Sequence, residues 1–379
     1  MTEPTFDPGF STAEMSRVFS PRGHVAGILR FEAALAGAVA DVGLIGPDVA
    51  GEVEARCLAL EVDAPDILAR GWAAGSPLLP LIEEIKAGLS PDAASAVHRG
   101  ATSQDAIDTA LMLQAGVGLD ALRAGLMACG AKLRDLAMAH VATPTMARTL
   151  LQPAGPMSFG ARLALWLEPL VRRIDELEEE RDNLALQLGG RAGDAAAHGM
   201  EAAAIATATA ARLGLVAPPT SWHGDRSRTR AVVAAVAATC SSVDKVAGDI
   251  VLLAGFGEVT AGSGRSSSMP DKRNPIDAVR AVAAAQVCAA GAAVVLGARP
   301  PELERAAGGW QAEWLAFPLV FHTAGAAVEA LDRSLGVLEV DQERMLEALG
   351  GVDHAAAIVA GERVVAAVTA AFSAVEERG

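Results

Sequence analysis

The sequence has no tyrosine, and aromatic residues make up only 4% of its 379 positions. Basic residues are also scarce, since 31 Lys and Arg stand against 46 Asp and Glu for a formal net charge of −15. Nucleic acids and anionic membranes are bound by clustered Lys and Arg, so this balance excludes a broad surface for either partner. A small anion must then be held by local positive charge.

Cysteine is rare as well, and the spacing of the four cysteines disfavours a metal site. Cys57, Cys129, Cys240 and Cys288 form no C-x-x-C pair and have no accompanying histidines at ligand spacing. A zinc site or a disulfide framework is therefore not expected, and a reducing cytoplasm is the simplest compartment. The polar, acidic N-terminus lacks the features of a signal peptide. The Ala-rich run 281–297 predicts a buried helix and no membrane span.

Proline is confined to clusters, and the tracts between them predict an all-α fold. Because proline breaks helix interiors, long proline-free tracts rich in Ala, Leu, Glu and Arg indicate helices. At 1.5 Å per residue these helices reach about 40 Å, which predicts a long bundle. We expect a smaller N-terminal helical domain over 1–101, the central bundle over 102–340, and a short, truncated C-terminal helical region over 341–379 with a break at residues 350–351. The proline-free tracts are 105–143, 170–217, 221–269, 276–299 and 319–379.

The most informative segment is 262–275, GSGRSSSMPDKRNP. Consecutive glycines and serines offer backbone N–H groups that can converge on an anion, Lys272 adds a positive charge and Asn274 adds a side-chain donor. The composition predicts an oxyanion-binding loop. A flexible connection between helices is the alternative, although such a linker has no need of Met269 and Pro270.

Residues 266–275 resemble the S-S-x-M-P-x-K-x-N-P signature of the fumarase/aspartase superfamily. The resemblance implies that Ser266, six positions before Lys272, is the acid/base that acts at carbon. It also implies that Lys272 and Asn274 hold a substrate carboxylate whose charge grows in the transition state. Ser267 and Met269 would contact the substrate from the same loop.

A second block, 98–109, resembles the superfamily's H-x-G-x-T-S-x-D-x-x-D-T pattern. Thr102 to Asp105 fits a capping box that opens the first long helix, and free N–H groups at a helix N-terminus suit a carboxylate. An ordinary helix cap is the alternative. The resemblance implies that the substrate-binding residues of this block are His98, Thr102, Ser103 and Gln104.

A third block, 148–156, is similar to R-T-H-x-Q-x-A-x-P and implies substrate contacts from Thr149 and Gln152. Leu150 stands where lyases that expel an amine usually carry histidine. Residues 74–81 likewise resemble the A-G-N-P-x-x-P-L segment of 3-carboxy-cis,cis-muconate cycloisomerases, where adenylosuccinate lyases have a catalytic His-Asp. The histidine expected at position 150 and the histidine of the His-Asp pair expected within 74–81 are both absent.

Leaving-group chemistry explains how one branch of the superfamily can work without these two histidines. In the reverse of a cycloisomerisation the leaving group is a carboxylate, whose pKa of about 4 lets it depart unprotonated. An amine or alkoxide benefits from general-acid help worth about 10²- to 10⁴-fold. Leu150 therefore favours lactone formation over amine release.

Weaker similarity extends from about residue 10 to 360 and adds Arg22 and Arg305 as carboxylate contacts. Trp222, His223 and the tryptophans of 304–314 are interpreted as packing residues.

The resemblance implies a cycloisomerase of 3-carboxy-cis,cis-muconate in aromatic-acid catabolism. It also implies a homotetramer whose active sites are shared between subunits, acting on a small polycarboxylate with no cofactor and no metal. Two alternatives stay open: a fumarate-releasing lyase of the adenylosuccinate or argininosuccinate type, and a catalytically silent helical scaffold of crystallin type.

Overall fold

The computed structural model describes residues 9–73, 75–262, 264–265 and 273–378. Within them the predicted all-α class is confirmed. The N-terminal helices are α1 (Ala13–Val18), α2 (Pro21–Asp41), α3 (Pro47–Ala59), α4 (Ala64–Ala73), α5 (Leu78–Lys86) and α6 (Pro91–Ala96). The helices that follow are α7 (Ser103–Ala139), α8 (Phe159–Asp182), α9 (Ala202–Leu213), α10 (Ser227–Gly255), α11 (Ile276–Leu296), α12 (Gly309–Gly336), α13 (Gln342–Ala348) and α14 (Ala355–Glu376).

Six short strands form three antiparallel pairs among the described residues. The largest pair is a hairpin of β1 and β2, while β3 pairs with β6 and β4 with β5. The strands are β1 (Pro144–Thr149), β2 (Gln152–Ser158), β3 (Val259–Ala261), β4 (Gly264–Arg265), β5 (Arg273–Asn274) and β6 (Leu338–Val340).

The bundle has two ends, which can be identified from side-chain contacts between helices. At the first, here called the Asp108 end, Arg226 and Trp310 at the starts of α10 and α12 both bond to Asp108 near the start of α7. At the second, called the Lys132 end, Lys132 of α7 binds Asp332 of α12 at 2.6 Å. Helices α7 and α12 therefore run parallel, and α10 begins at the same end as both. The 24 residues from Asp108 to Lys132 span about 36 Å at helical rise.

The described residues form two hydrophobic cores, and α7 contributes to both. Its first turns, with Ile107 and Ala110, pack into the core of the N-terminal helices. Its later turns, with Leu126 and Leu133, pack into the core of the long helices. Close approach of α2 to α7 requires Gly27, because a Cβ there would lie 2.9 Å from the Cβ of Ala110. This packing fixes the start of α7 against the N-terminal helices.

Proline proved a less reliable helix boundary than expected. Pro169 lies inside α8 and Pro318 inside α12, so two helices cross limits that the tract pattern had set. A proline in a helix costs one backbone hydrogen bond and a steric clash, and both helices bury an extensive apolar face that outweighs this. The expected break at Gly350 and Gly351 is present, with both residues at positive φ. The helix after it, α14, has 22 residues and is not short.

The run 281–297 is helical, but it is less buried within the chain than predicted. It forms most of α11, and only 39% of the most apolar 18-residue stretch of this helix is buried. By length and composition alone, five helices in the described part of the chain are apolar enough to cross a membrane: α2, α10, α11, α12 and α14. The apolar surface of α11 thus faces away from its own chain to a large extent.

Candidate active site

Asp105 anchors the start of α7, where the predicted substrate contacts Thr102, Ser103 and Gln104 lie. Its buried carboxylate accepts four hydrogen bonds, from the backbone N–H groups of Thr102 (2.8 Å), Gly189 (2.8 Å) and Gly190 (2.9 Å) and from Nε2 of His223 (2.7 Å). The bond to Thr102 is the carboxylate half of the predicted capping box. With four acceptor positions filled, Asp105 holds the helix start, the 189–190 loop and His223 in fixed relation.

A second buried carboxylate, Asp108, lies one turn further along α7. The guanidinium of Arg226 bonds to both Asp108 oxygens, at 2.6 and 3.1 Å, and also to Glu313 of α12. Trp310 donates its indole N–H to Asp108 at 2.9 Å. Burial alone would lower the pKa of Arg226, but the two carboxylates outweigh it and raise that pKa. Arg226 therefore remains charged and cross-links three helices.

Four predicted substrate contacts lie close together at this end. Thr102 is the N-cap of α7 and Ser103 its first residue, and both are half-buried. Arg305 donates from Nη2 to the Thr102 hydroxyl at 3.2 Å. Gln104 is fully buried, and its amide N–H₂ reaches the backbone carbonyl of His223. The α7 N-terminus thus combines backbone N–H groups, two hydroxyls and a guanidinium, a donor set suited to a carboxylate.

Unpaired polar atoms mark the same place. Among the described residues, the buried atoms at this end that have no hydrogen-bond partner include Gln104 Oε1, His223 Nδ1 and Arg305 Nε. Buried polar atoms are nearly always bonded, so atoms like these indicate where a ligand or water completes the structure. The sequence did not single out His223 for this place, because its partner Asp105 is 118 positions away.

Thr149 and Gln152 lie at the tip of the β1–β2 hairpin, flanking Leu150 and Leu151. Both leucines have positive φ, 49° and 62°, and their exposed fractions are 97% and 61%. Two-residue hairpin turns with positive φ at both positions normally use Asn-Gly, because β-branched and bulky residues are strained there. This tip instead displays two apolar side chains to solvent.

The predicted anion loop begins next to this hairpin, at the Lys132 end. Arg148 of β1 forms a bidentate pair with Glu258, which immediately precedes β3. Beyond β3, the backbone of Asn274 pairs in register with Gly264, and the Asn274 side chain is half-buried. The predicted residues Ser266, Ser267, Met269 and Lys272 lie outside the described residues.

Arg22 occupies a separate location. It is exposed in the first turn of α2, where it lines an open cavity of about 230 Å³ together with Arg30 and Glu61. No contact links it to Thr102 or Arg305 within the described part of the chain.

The structure therefore divides the predicted site between the two ends of the bundle. His98, Thr102, Ser103, Gln104 and Arg305 lie at the Asp108 end, whereas the hairpin and the flanks of the anion loop lie at the Lys132 end. The separation is about 36 Å or more along α7. Among the described residues, no cluster of three His, Cys, Asp or Glu side chains could hold a metal ion.

Comparisons with known proteins agree with this architecture. The sequence profile of the lyase family matches residues 73–289, more than half of the chain. A 3-carboxy-cis,cis-muconate cycloisomerase of Pseudomonas aeruginosa is 40% identical over 357 residues, which cover 91% of this chain and 77% of that protein. The crystal structure of 3-carboxy-cis,cis-muconate lactonizing enzyme from Pseudomonas putida matches with a TM-score of 0.86 at 34% identity, covering 99% of this chain and 88% of that one.

A fumarate lyase from Mesorhizobium sp. BNC1 has a similar structure, with a TM-score of 0.84 at 28% identity over 97% of this chain and 88% of that one. The match of the family profile and the high coverage of these relatives carry the assignment. The chain belongs to the lyase family, within the fumarase/aspartase superfamily of enzymes.

Proposed function

We propose that this enzyme cyclises 3-carboxy-cis,cis-muconate to a carboxymuconolactone. One substrate carboxylate adds to a conjugated double bond, and a proton is delivered to the neighbouring carbon. The similarity to proteins named for this reaction supports the proposal. The reaction would serve aromatic-acid catabolism in the cytoplasm, and it requires no cofactor.

The observation that carries the proposal is the apolar tip of the hairpin. Leu150 occupies the position at which amine-releasing relatives usually have histidine, and it is 97% exposed in the single chain. A leucine cannot protonate a leaving group. A carboxylate leaving group needs no such help, because its pKa of about 4 already makes it stable as an anion.

The proposed roles follow from charge development. As the carboxylate oxygen attacks, negative charge moves toward a second carboxylate of the substrate. Lys272, Asn274 and loop N–H groups would hold that carboxylate, while Ser266 passes a proton to carbon. A third carboxylate would sit at the α7 N-terminus, where Thr102, Ser103 and Arg305 supply donors.

A complete site of this kind needs more than one copy of the chain, so we propose a homotetramer with shared active sites. The opposite placement of the two halves of the site supports this. So does α11, on which Ile276, Val287 and Val294 fall on one stripe at 100° per residue and are 46%, 36% and 48% exposed. Packing of such stripes between subunits would bring the Lys132 end of one chain to the Asp108 end of another.

The direct test is loss of near-UV diene absorbance when the purified protein is added to 3-carboxy-cis,cis-muconate. The proposal expects rapid loss with a lactone as the product. Release of fumarate from adenylosuccinate or argininosuccinate, with no effect on the muconate, would support the amine-lyase alternative. Turnover of neither class would support the silent scaffold.

A further inference from the structure

His98 is held in an unusual conformation by one buried carboxylate. Its φ is +59°, in the left-handed region that residues other than glycine seldom adopt. Glu32 of α2 accepts two hydrogen bonds from it, the backbone N–H on Oε2 at 2.9 Å and the ring Nδ1 on Oε1 at 2.7 Å. The Glu32 side chain is completely buried. One carboxylate therefore fixes both the backbone and the ring of His98.

This pairing determines which ring nitrogen is available. A carboxylate only accepts hydrogen bonds, so the Nδ1 of His98 must carry a hydrogen. Its Nε2 makes no hydrogen bond with any described residue, and the side chain is 18% exposed. His98 also lies four positions before Thr102, the N-cap that Arg305 contacts. The ring thus has one nitrogen bonded to a buried carboxylate and one nitrogen without a partner among the described residues, four positions before the N-cap of α7.

The charges around the ring favour its protonated form. Burial alone would lower the pKa of His98, but Glu32 on α2 and Asp105 on α7 outweigh burial and the opposing effect of Lys86 on α5, so the pKa is raised. A protonated ring presents a second N–H, at Nε2. A charged donor of this kind forms stronger hydrogen bonds to a carboxylate than a neutral one.

We propose that Glu32 is a positioning residue for the proposed reaction: it orients His98 so that the Nε2 hydrogen of the imidazolium faces a substrate carboxylate at the α7 N-terminus. This inference rests on the proposed function. The competing explanation is structural, with His98 serving only to satisfy a buried glutamate. The two explanations predict different results: only the positioning role makes the pH dependence of substrate binding depend on the charge of Glu32.

The test compares wild-type enzyme with Glu32→Gln in the full-length chain. Glutamine can still accept a hydrogen bond, but it carries no charge, so the pKa of His98 should fall. The titration of the ring is followed by NMR without substrate, with the His98 signal assigned by its loss in His98→Gln. In parallel, kcat/KM for 3-carboxy-cis,cis-muconate is measured across pH.

We expect the midpoint of the His98 titration and the midpoint of the alkaline limb of kcat/KM to move to lower pH together in Glu32→Gln. Activity that depends on the protonated ring falls as pH rises through its pKa, so the alkaline limb of kcat/KM should shift downward. At pH 8 kcat/KM should drop on the order of tenfold, mostly through a higher KM, and the deficit should be smaller at pH 6. Glu32→Asp keeps the charge but shortens the side chain, so its midpoints should fall between those of the wild type and Glu32→Gln. It provides a second variant if Glu32→Gln folds poorly.

Glu313→Gln is the matched control. It also removes a buried carboxylate charge, but its partner is Arg226, which does not titrate in this range. It should lower stability and leave the alkaline limb in place. A shift of the His98 titration in Glu32→Gln with an unchanged kcat/KM profile would show that His98 is not a substrate contact and would overturn the inference. A wild-type enzyme without muconate turnover would overturn the proposed function, and the inference with it.

Discussion

Arg148 and Glu258 connect the hairpin that carries Leu150 to the strand from which the anion loop starts. The two Arg148 terminal nitrogens each bond to one Glu258 oxygen, one of them at 3.1 Å, and Glu258 is 1% exposed. The Arg148 guanidinium also lies 4.3 Å from the centre of the Phe256 ring. The positions of two predicted site segments are therefore coupled within one chain.

Arg148→Met should destabilise the protein by about 3 kcal/mol, because it leaves the buried Glu258 carboxylate without its partner. The double variant Arg148→Met/Glu258→Met should be less destabilised than this single variant, since no charge remains buried. Urea unfolding at one fixed protein concentration measures both. Equal stability of the wild type and Arg148→Met would mean that the pair contributes nothing to holding the two segments together.

Ser266→Ala should abolish turnover and leave helical content and assembly unchanged. A loop hydroxyl contributes little to packing, whereas in the proposed mechanism it carries the proton to carbon. Steady-state kinetics, circular dichroism and size-exclusion chromatography check the three parts of this prediction, with the neighbouring Ser268→Ala as the matched control. Retention of a substantial fraction of wild-type kcat would remove Ser266 from its assigned role.

Lys272→Met should be nearly inactive for a different reason. Removing one donor to a developing oxyanion costs about 3–4 kcal/mol of transition-state stabilisation, a loss on the order of 10²- to 10³-fold in kcat. Arg273→Met is the control, because Arg273 is an exposed neighbour on β5. If the two substitutions reduced kcat equally, general electrostatic attraction by the loop would explain the loss, and a specific contact from Lys272 would not.

Leu150→His tests whether leaving-group protonation matters. We expect no gain in the rate of cyclisation, and a decrease if the imidazole replaces an apolar contact in the assembled site. Leu151→His, one position further along the same turn, separates this effect from a general disturbance of the hairpin. A large rate increase in Leu150→His would show that protonation of the departing group limits the reaction. Leu150 would then not indicate a reaction that needs no general acid.

Local signals predicted the parts of the site that depend on neighbouring residues. The cap at Thr102 and Asp105 could be predicted because a capping box is contained within four positions. Glu32 and His98 are 66 positions apart, and Asp105 and His223 are 118 apart, so nothing in the local pattern indicated that they pair. The β1–β2 hairpin was also missed, since its Leu150-Leu151 turn lacks the Asn-Gly signal that usually marks such turns. Long-range packing, which decides these features, leaves no periodic pattern in the sequence.

The proposed chemistry also predicts a fixed proton balance. The substrate carries three carboxylates at neutral pH, and in the lactone one of them has become an ester while a carbon has gained hydrogen. A trianion thus becomes a dianion, and one proton must be taken up per turnover. In a lightly buffered solution with a pH indicator, the ratio of protons taken up to diene lost should be close to one.

The same measurement separates cyclisation from elimination. A fumarate-releasing lyase divides one molecule into two, and it does not couple an obligatory proton uptake to the loss of a diene. Ser266→Ala provides the baseline, because it should show neither signal while keeping the same buffering groups. Diene loss without alkalinisation would exclude lactone formation, since charge conservation allows no other route from a tricarboxylate to a dicarboxylate lactone.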